Sequence, residues 1–159
     1  MTIEIGDRIP DVTLTIMGES GPEPFSTSEI FRDRKVVLFA VPGAFTPTCS
    51  ARHLPGYVDL ADEFHAGGVD TIACMAVNDI FVMSAWGKSA GADKILMIAD
   101  GNAEFTEALG LEMDASMFGM GTRSQRFALV AEDGEVTGLY IEGPGEFSVS
   151  SAEQVLASL

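Results

Sequence analysis

The chain is predicted to fold as a three-layer α/β/α sandwich around a mixed central sheet. Three observations carry this. Three short apolar runs, Lys35–Val41, Val69–Val77 and Lys94–Ala99, read as buried strands, with helically spaced segments between them. Two more strand-like runs, Arg126–Ala131 and Val136–Ile141, meet across Glu132-Asp133-Gly134-Glu135, a hairpin signal. A final helical segment, Ser151–Leu159, follows them. Strands alternating with helices give a parallel sheet, and the hairpin adds an antiparallel edge.

Taken in order, Val12–Met17 alternates and reads as a half-buried strand. Met17–Pro24 holds Gly18, Gly21, Pro22 and Pro24 and reads as a surface loop. Ser26–Phe31 is a short helical turn, with Ser26 or Thr27 as its cap. The run Lys35–Val41 stops at Pro42-Gly43, and a helix is expected after Pro47. Leu54, Tyr57, Val58, Leu60, Ala61 and Phe64 recur there at helical spacing until Gly67-Gly68 ends it. After the second strand, Asn78 or Asp79 caps a helix running to about Ala90. Asn102–Leu109 reads as another short helix, and Ser150 or Ser151 caps the last one. This order is that of the thioredoxin-like fold, with insertions.

Composition narrows the function. At 159 residues the chain is expected to form one domain, residues 1–159. Nine Lys and Arg against 24 Asp and Glu give a net charge of −15. Such a surface repels phosphate backbones and anionic lipid heads, so neither nucleic acid nor a membrane is an expected partner. A hydrophobic content of 47% and a mean hydropathy of +0.23 exclude a disordered chain. Met1–Asp7 lacks the basic start and apolar segment of a signal peptide, and two cysteines make no disulfide framework. A cytoplasmic location is the expectation.

The segment with chemistry in it is Pro42-Gly-Ala-Phe-Thr-Pro-Thr-Cys49. It leaves the carboxyl end of a buried strand, where open α/β sheets bind their ligands. Cys49 falls in the first helical turn, where free N–H groups and the helix dipole favour a thiolate. Thr46 is three residues before it, near enough to donate to the sulfur and to accept from a substrate. Pro42 and Pro47 stiffen the loop. A buried structural cysteine is the plainer reading. The Pro/Thr loop before Cys49 and the polar Ser-Ala-Arg-His after it argue against that.

Pro42-x-x-x-Thr46-x-x-Cys49 is similar to the active-site signature of the peroxiredoxins. The longer run through His53-Leu-Pro-Gly56 resembles the peroxiredoxin-5 subfamily, as do Val77-Asn-Asp-x-Phe-Val-Met-x-x-Trp86 and Ser124-Gln-Arg-Phe127. The resemblance implies a thioredoxin-like fold and a thiol peroxidase acting on hydrogen peroxide and organic hydroperoxides. It implies that Cys49 is the peroxidatic cysteine and that Pro42 shields it. Thr46 would hold thiolate and peroxide, and Arg126 would reach back to the sulfur. A homodimer is implied as well.

The chemistry asks for the same groups. A thiolate attacks one peroxide oxygen while the other departs as an anion, so donors and a fixed positive charge are needed. One of the six arginines is expected at the site. Arg126 leads because it directly precedes an apolar strand, with Arg123 as its competitor.

Cys74 lies among apolar neighbours and reads as inert core, with a resolving cysteine as the lesser alternative. His53 shares a helix face with Cys49 and is expected to pack, with general base as an alternative. Cys49 and His53 fall short of a zinc ligand set, so no metal and no cofactor are expected. His65 suits a helix C-terminus. Met75, Met97 and Trp86 read as packing. Phe45 and Met117–Gly121 fit pocket, subunit contact or core equally. Some relatives carry a resolving cysteine before the last helix, where this chain has Gly145–Ser151 with Ser150 nearest in position. An external thiol is therefore expected to recycle the enzyme: glutathione, with or without glutaredoxin, or thioredoxin. A dithiol reductase is disfavoured because Thr46 stands where Cys-x-x-Cys needs a thiol. A thioredoxin-like protein-binding or holdase module without turnover is the remaining alternative.

Overall fold

A computed structural model describes residues 1–159. Its elements are β1 (Thr13–Gly18), β2 (Gly21–Ser26), α1 (Thr27–Phe31), β3 (Lys35–Ala40), a π-helical turn (Cys49–His53), α2 (Leu54–Ala66), β4 (Thr71–Ala76) and α3 (Ile80–Ser89). Then come β5 (Leu96–Ala99), α4 (Glu104–Leu109), β6 (Glu112–Asp114), a 3₁₀ turn (Ser116–Phe118), β7 (Thr122–Ser124), β8 (Phe127–Glu132), β9 (Glu135–Ile141) and α5 (Ala152–Ala157).

Seven strands form one sheet in the order β2-β1-β5-β4-β3-β8-β9. The apolar runs β3, β4 and β5 pair in parallel at its centre, and β8–β9 adds an antiparallel edge. Both faces of β3 are covered. Val37, Phe39 and Val41 pack toward the core that holds α2 and α3, while Val36, Leu38 and Ala40 face a second core with α1 and α4. A strand buried on both faces cannot alternate, which is why it reads as a continuous apolar run.

Two expectations are corrected. The stretch read as a loop, Met17–Pro24, is largely β1 and β2, an antiparallel hairpin turning at Glu19-Ser20. Pro22 and Pro24 fit there because β2 is an edge strand. Residues 112–124, for which no element is expected, hold the small β6–β7 sheet. Three-residue strands are too short to show a period.

The register places the site. Ala40 of β3 pairs with Phe127 of β8, and Phe127 pairs in turn with Ile141 of β9. Arg126 and Glu142 thus lie together at the sheet edge from which the Pro42 loop leaves, joined by a 3.0 Å bond from Glu142 N–H to the Arg126 carbonyl.

Candidate active site

The helix after Pro47 does not run straight. Pro55 has no N–H to give to the carbonyl four residues back, so the ladder breaks in front of it. The Leu54 N–H reaches instead to the Cys49 carbonyl, an i→i+5 bond that closes a π turn over Cys49–His53. Such turns recur at functional sites. Here Cys49 and His53 both face inward and are fully buried.

Arg126 reaches them from the start of β8. Its Nη2 donates to Cys49 Sγ at 3.1 Å, and its Nη1 lies 2.9 Å from His53 Nδ1. A guanidinium only donates, so Nδ1 accepts and Nε2 carries the ring proton. That proton points at the Ser150 carbonyl 3.1 Å away, which also accepts from the Tyr57 hydroxyl at 2.8 Å. Burial first, and the Arg126 charge second, bring the His53 pKa down from 6.5 to about 3. The ring is therefore neutral at the site. His53 does more than pack, since it holds the arginine that touches the sulfur.

Arg123, the competing candidate, turns elsewhere. Its Nε donates to the Met120 carbonyl at 2.9 Å and its Nη1 to the Pro42 carbonyl at 3.2 Å. It clamps the loop rather than the sulfur. Gly43 makes room for it, because a Cβ there would lie 2.9 Å from Arg123 Nη1. Asn78, just past β4, fixes the other side by accepting from the Ala44 N–H at 2.9 Å. Phe45 is held with φ at +63°, a strained left-handed conformation, and is 54% exposed. The Thr46 hydroxyl donates to the Gly43 carbonyl at 2.7 Å. The expected donation from Thr46 to the sulfur is absent.

Cys74 is fully buried in β4, and burial, followed by the nearby Cys49, pushes its thiol well above the ordinary range. Asp79 caps α3 and Ser151 caps α5. Trp86 is buried as expected and donates to Ser50 Oγ at 3.0 Å. His65 contacts the Val69 carbonyl through Nδ1 at 2.9 Å.

Sequence reasoning missed three participants: Asn78 as a loop tether, Glu142 and Phe147. Glu142 Oε2 accepts from Ser148 N–H at 2.7 Å, Ser150 N–H at 2.8 Å and the Ser150 hydroxyl at 2.7 Å. Burial works to raise this carboxyl, but those bonds outweigh it and hold it below the usual range. The Phe147 ring lies 5.0 Å from the His53 ring, with the Arg126 guanidinium 5.8 Å and the Arg52 guanidinium 4.7 Å from its centre.

The Redoxin family model matches residues 4–156. Over 165 aligned residues the chain is 52% identical to peroxiredoxin-2E-2, chloroplastic, of Oryza sativa subsp. japonica, covering 99% of this chain and 73% of that one. The reduced Prx3 of Vibrio vulnificus, solved in complex with hydrogen peroxide, superposes with a TM-score of 0.96 at 54% identity over 99% of both chains. Peroxiredoxin 5 of Alvinella pompejana superposes at 0.87, with 41% identity, over 98% of this chain and 97% of that one. Matched end to end in both sequence and backbone, this chain belongs to the peroxiredoxins, in their peroxiredoxin-5 subfamily, and is a thiol-dependent peroxidase.

Proposed function

We propose that Cys49 is the peroxidatic nucleophile of a one-cysteine cycle acting on hydrogen peroxide and alkyl hydroperoxides. The observation that carries this reading is the 3.1 Å bond from Arg126 to Cys49 Sγ. A guanidinium beside the sulfur supplies a directed donor and a positive charge that persists throughout the reaction. The Thr46 oxygen accepts the peroxide O–H, while Arg126 stabilises the charge that develops on the departing oxygen. Pro42 offers no N–H and keeps competing donors away from the thiolate. The S–O bond forms as the O–O bond breaks. Cys49 becomes a sulfenic acid, and the leaving alkoxide or hydroxide takes up a proton.

The second half of the cycle needs an outside thiol. Cys74 sits in mid-strand with its thiolate suppressed by burial, and Ser150 has no sulfur to offer. Glutathione, with or without glutaredoxin, fits this best, and thioredoxin is the protein alternative. Two free cysteines suit a reducing compartment such as the cytoplasm. Phe45 at 54%, Phe118 at 74% and Met117 at 84% exposure, all beside the site, suit a homodimer packed through the Phe45 loop and residues 115–121.

Intact mass after one equivalent of hydrogen peroxide, with and without glutathione, tests the cycle. We expect one added oxygen on Cys49 alone, replaced by a glutathione adduct when the thiol is present. A quantitative Cys49–Cys74 disulfide would overturn it. So would peroxidase turnover that survives Cys49→Ser.

A further inference from the structure

Next to Phe147 lies a groove of about 540 Å³, lined by neither Cys49 nor Arg126, that the peroxide chemistry does not use. It runs between the start of α2 and the segment Phe147–Gln154, and its volume is that of a small-molecule site. Phe147 is the wall it shares with the site. One cation, Arg52, stands 4.7 Å from the ring centre and another, Arg126, 5.8 Å from it. Arg126 is occupied by sulfur and His53. Arg52 is exposed and has no hydrogen bond or ion pair, in a chain of net charge −15. Two carboxylates, Asp59 and Glu153, line the same groove.

We infer that this groove binds the reducing thiol, seating a carboxylate of a zwitterionic thiol peptide of the glutathione class on Arg52 and its ammonium toward Asp59 and Glu153. The inference rests on the external-thiol reading above. The charges are complementary, and in chain order Arg52 stands three residues after Cys49 and Asp59 ten. A guanidinium held beside a ring presents a fork suited to a carboxylate. The bound thiolate attacks the sulfenic sulfur. An S–S bond forms, the S–O bond breaks, and the departing hydroxide takes up the proton that the thiol released on ionising and leaves as water. The Cys49 sulfur is reduced and the thiol sulfur oxidised to a mixed disulfide. A second thiol attacks the peptide sulfur and releases the Cys49 thiolate.

The test is stopped-flow reduction of the pre-formed Cys49 sulfenic acid by three thiols: glutathione, uncharged dithiothreitol and cationic cysteamine. The readout is the ratio of the glutathione rate to the dithiothreitol rate within each protein. Arg52→Glu should lower that ratio about 30-fold and raise the cysteamine ratio, and Arg52→Ala should fall between. Arg34→Glu, the same charge reversal at the far end of β3, should leave both ratios within about twofold. The groove is ruled out if Arg52→Glu leaves the ratios unchanged, or if Arg34→Glu shifts them equally. Failure of the parent reading looks different: wild-type sulfenic acid reduced by dithiothreitol but untouched by glutathione.

Discussion

Arg126 and His53 divide one task between them. The arginine carries the charge, and the histidine, kept neutral, gives it a fixed lone pair to hold. Arg126→Met should slow the peroxide step about 10²–10³-fold, the usual loss for one preorganised donor. Arg123→Met removes two backbone contacts but leaves the sulfur its partner, so its effect should stay below about tenfold. Stopped-flow peroxide kinetics on both variants decide between them. Thr46→Val should cost rate in the same way, with the fold retained. His53 also ties stability to acidity. Between pH 6.5 and about 3 the unfolded chain protonates this ring and the folded chain does not. Its contribution is complete above pH 6.5 and is lost as the pH falls, by at most about 5 kcal/mol. Urea unfolding of His53→Leu should show lower stability at pH 7 and a flatter decline toward pH 4 than wild type.

Among the elements, the segment after β9 is the one whose sequence says least about its job. Gly143–Ser151 looks like a polar loop, yet Glu142 pins Ser148 and Ser150, and Ser150 in turn supports His53 and Tyr57. Glu142→Gln keeps the shape but replaces a charged acceptor with a neutral one. It should cost about 1–3 kcal/mol in chemical denaturation and slow the peroxide step through His53 and Arg126. The central strands and the place of Cys49 were legible because doubly buried strands read as apolar runs, and because a Pro/Thr loop before a helix is distinctive. The choice of Arg126 over Arg123 was legible too, since only Arg126 abuts an apolar strand. The hairpin β1–β2 was hidden by prolines that an edge strand tolerates, and β6–β7 by its brevity. Asn78 and Phe147 were not legible because the fold brings them to partners far away in sequence, and Glu142 because nothing in a polar loop marks which of its N–H groups turn back to a carboxylate. Thr46 was placed at the site, but its donor bond goes to a backbone carbonyl that spacing alone does not single out.

At the scale of the whole molecule, two features follow from the surface. Met117 and Phe118 project from the 3₁₀ turn close to the Arg123 clamp. If a second copy covers them, Met117→Glu with Phe118→Glu should convert a dimer to a monomer in sedimentation at micromolar concentration, and a mass near one chain for the wild type would overturn the dimer.

The second feature is the uneven placement of cations. Three of the six arginines, Arg52, Arg123 and Arg126, gather at one end of the sheet, while the rest of the chain is strongly acidic. The two halves of the cycle should therefore respond differently to ionic strength. Hydrogen peroxide is uncharged and diffuses without regard to the field, so its step should hardly change between about 0.01 and 0.5 M salt. An anionic thiol first meets the repulsion of the acidic body, whose reach shrinks from about 30 Å at 0.01 M to about 10 Å at 0.1 M. Added salt should therefore speed the thiol step at first. It should then slow it, once the short-range pull of the arginine end is screened as well.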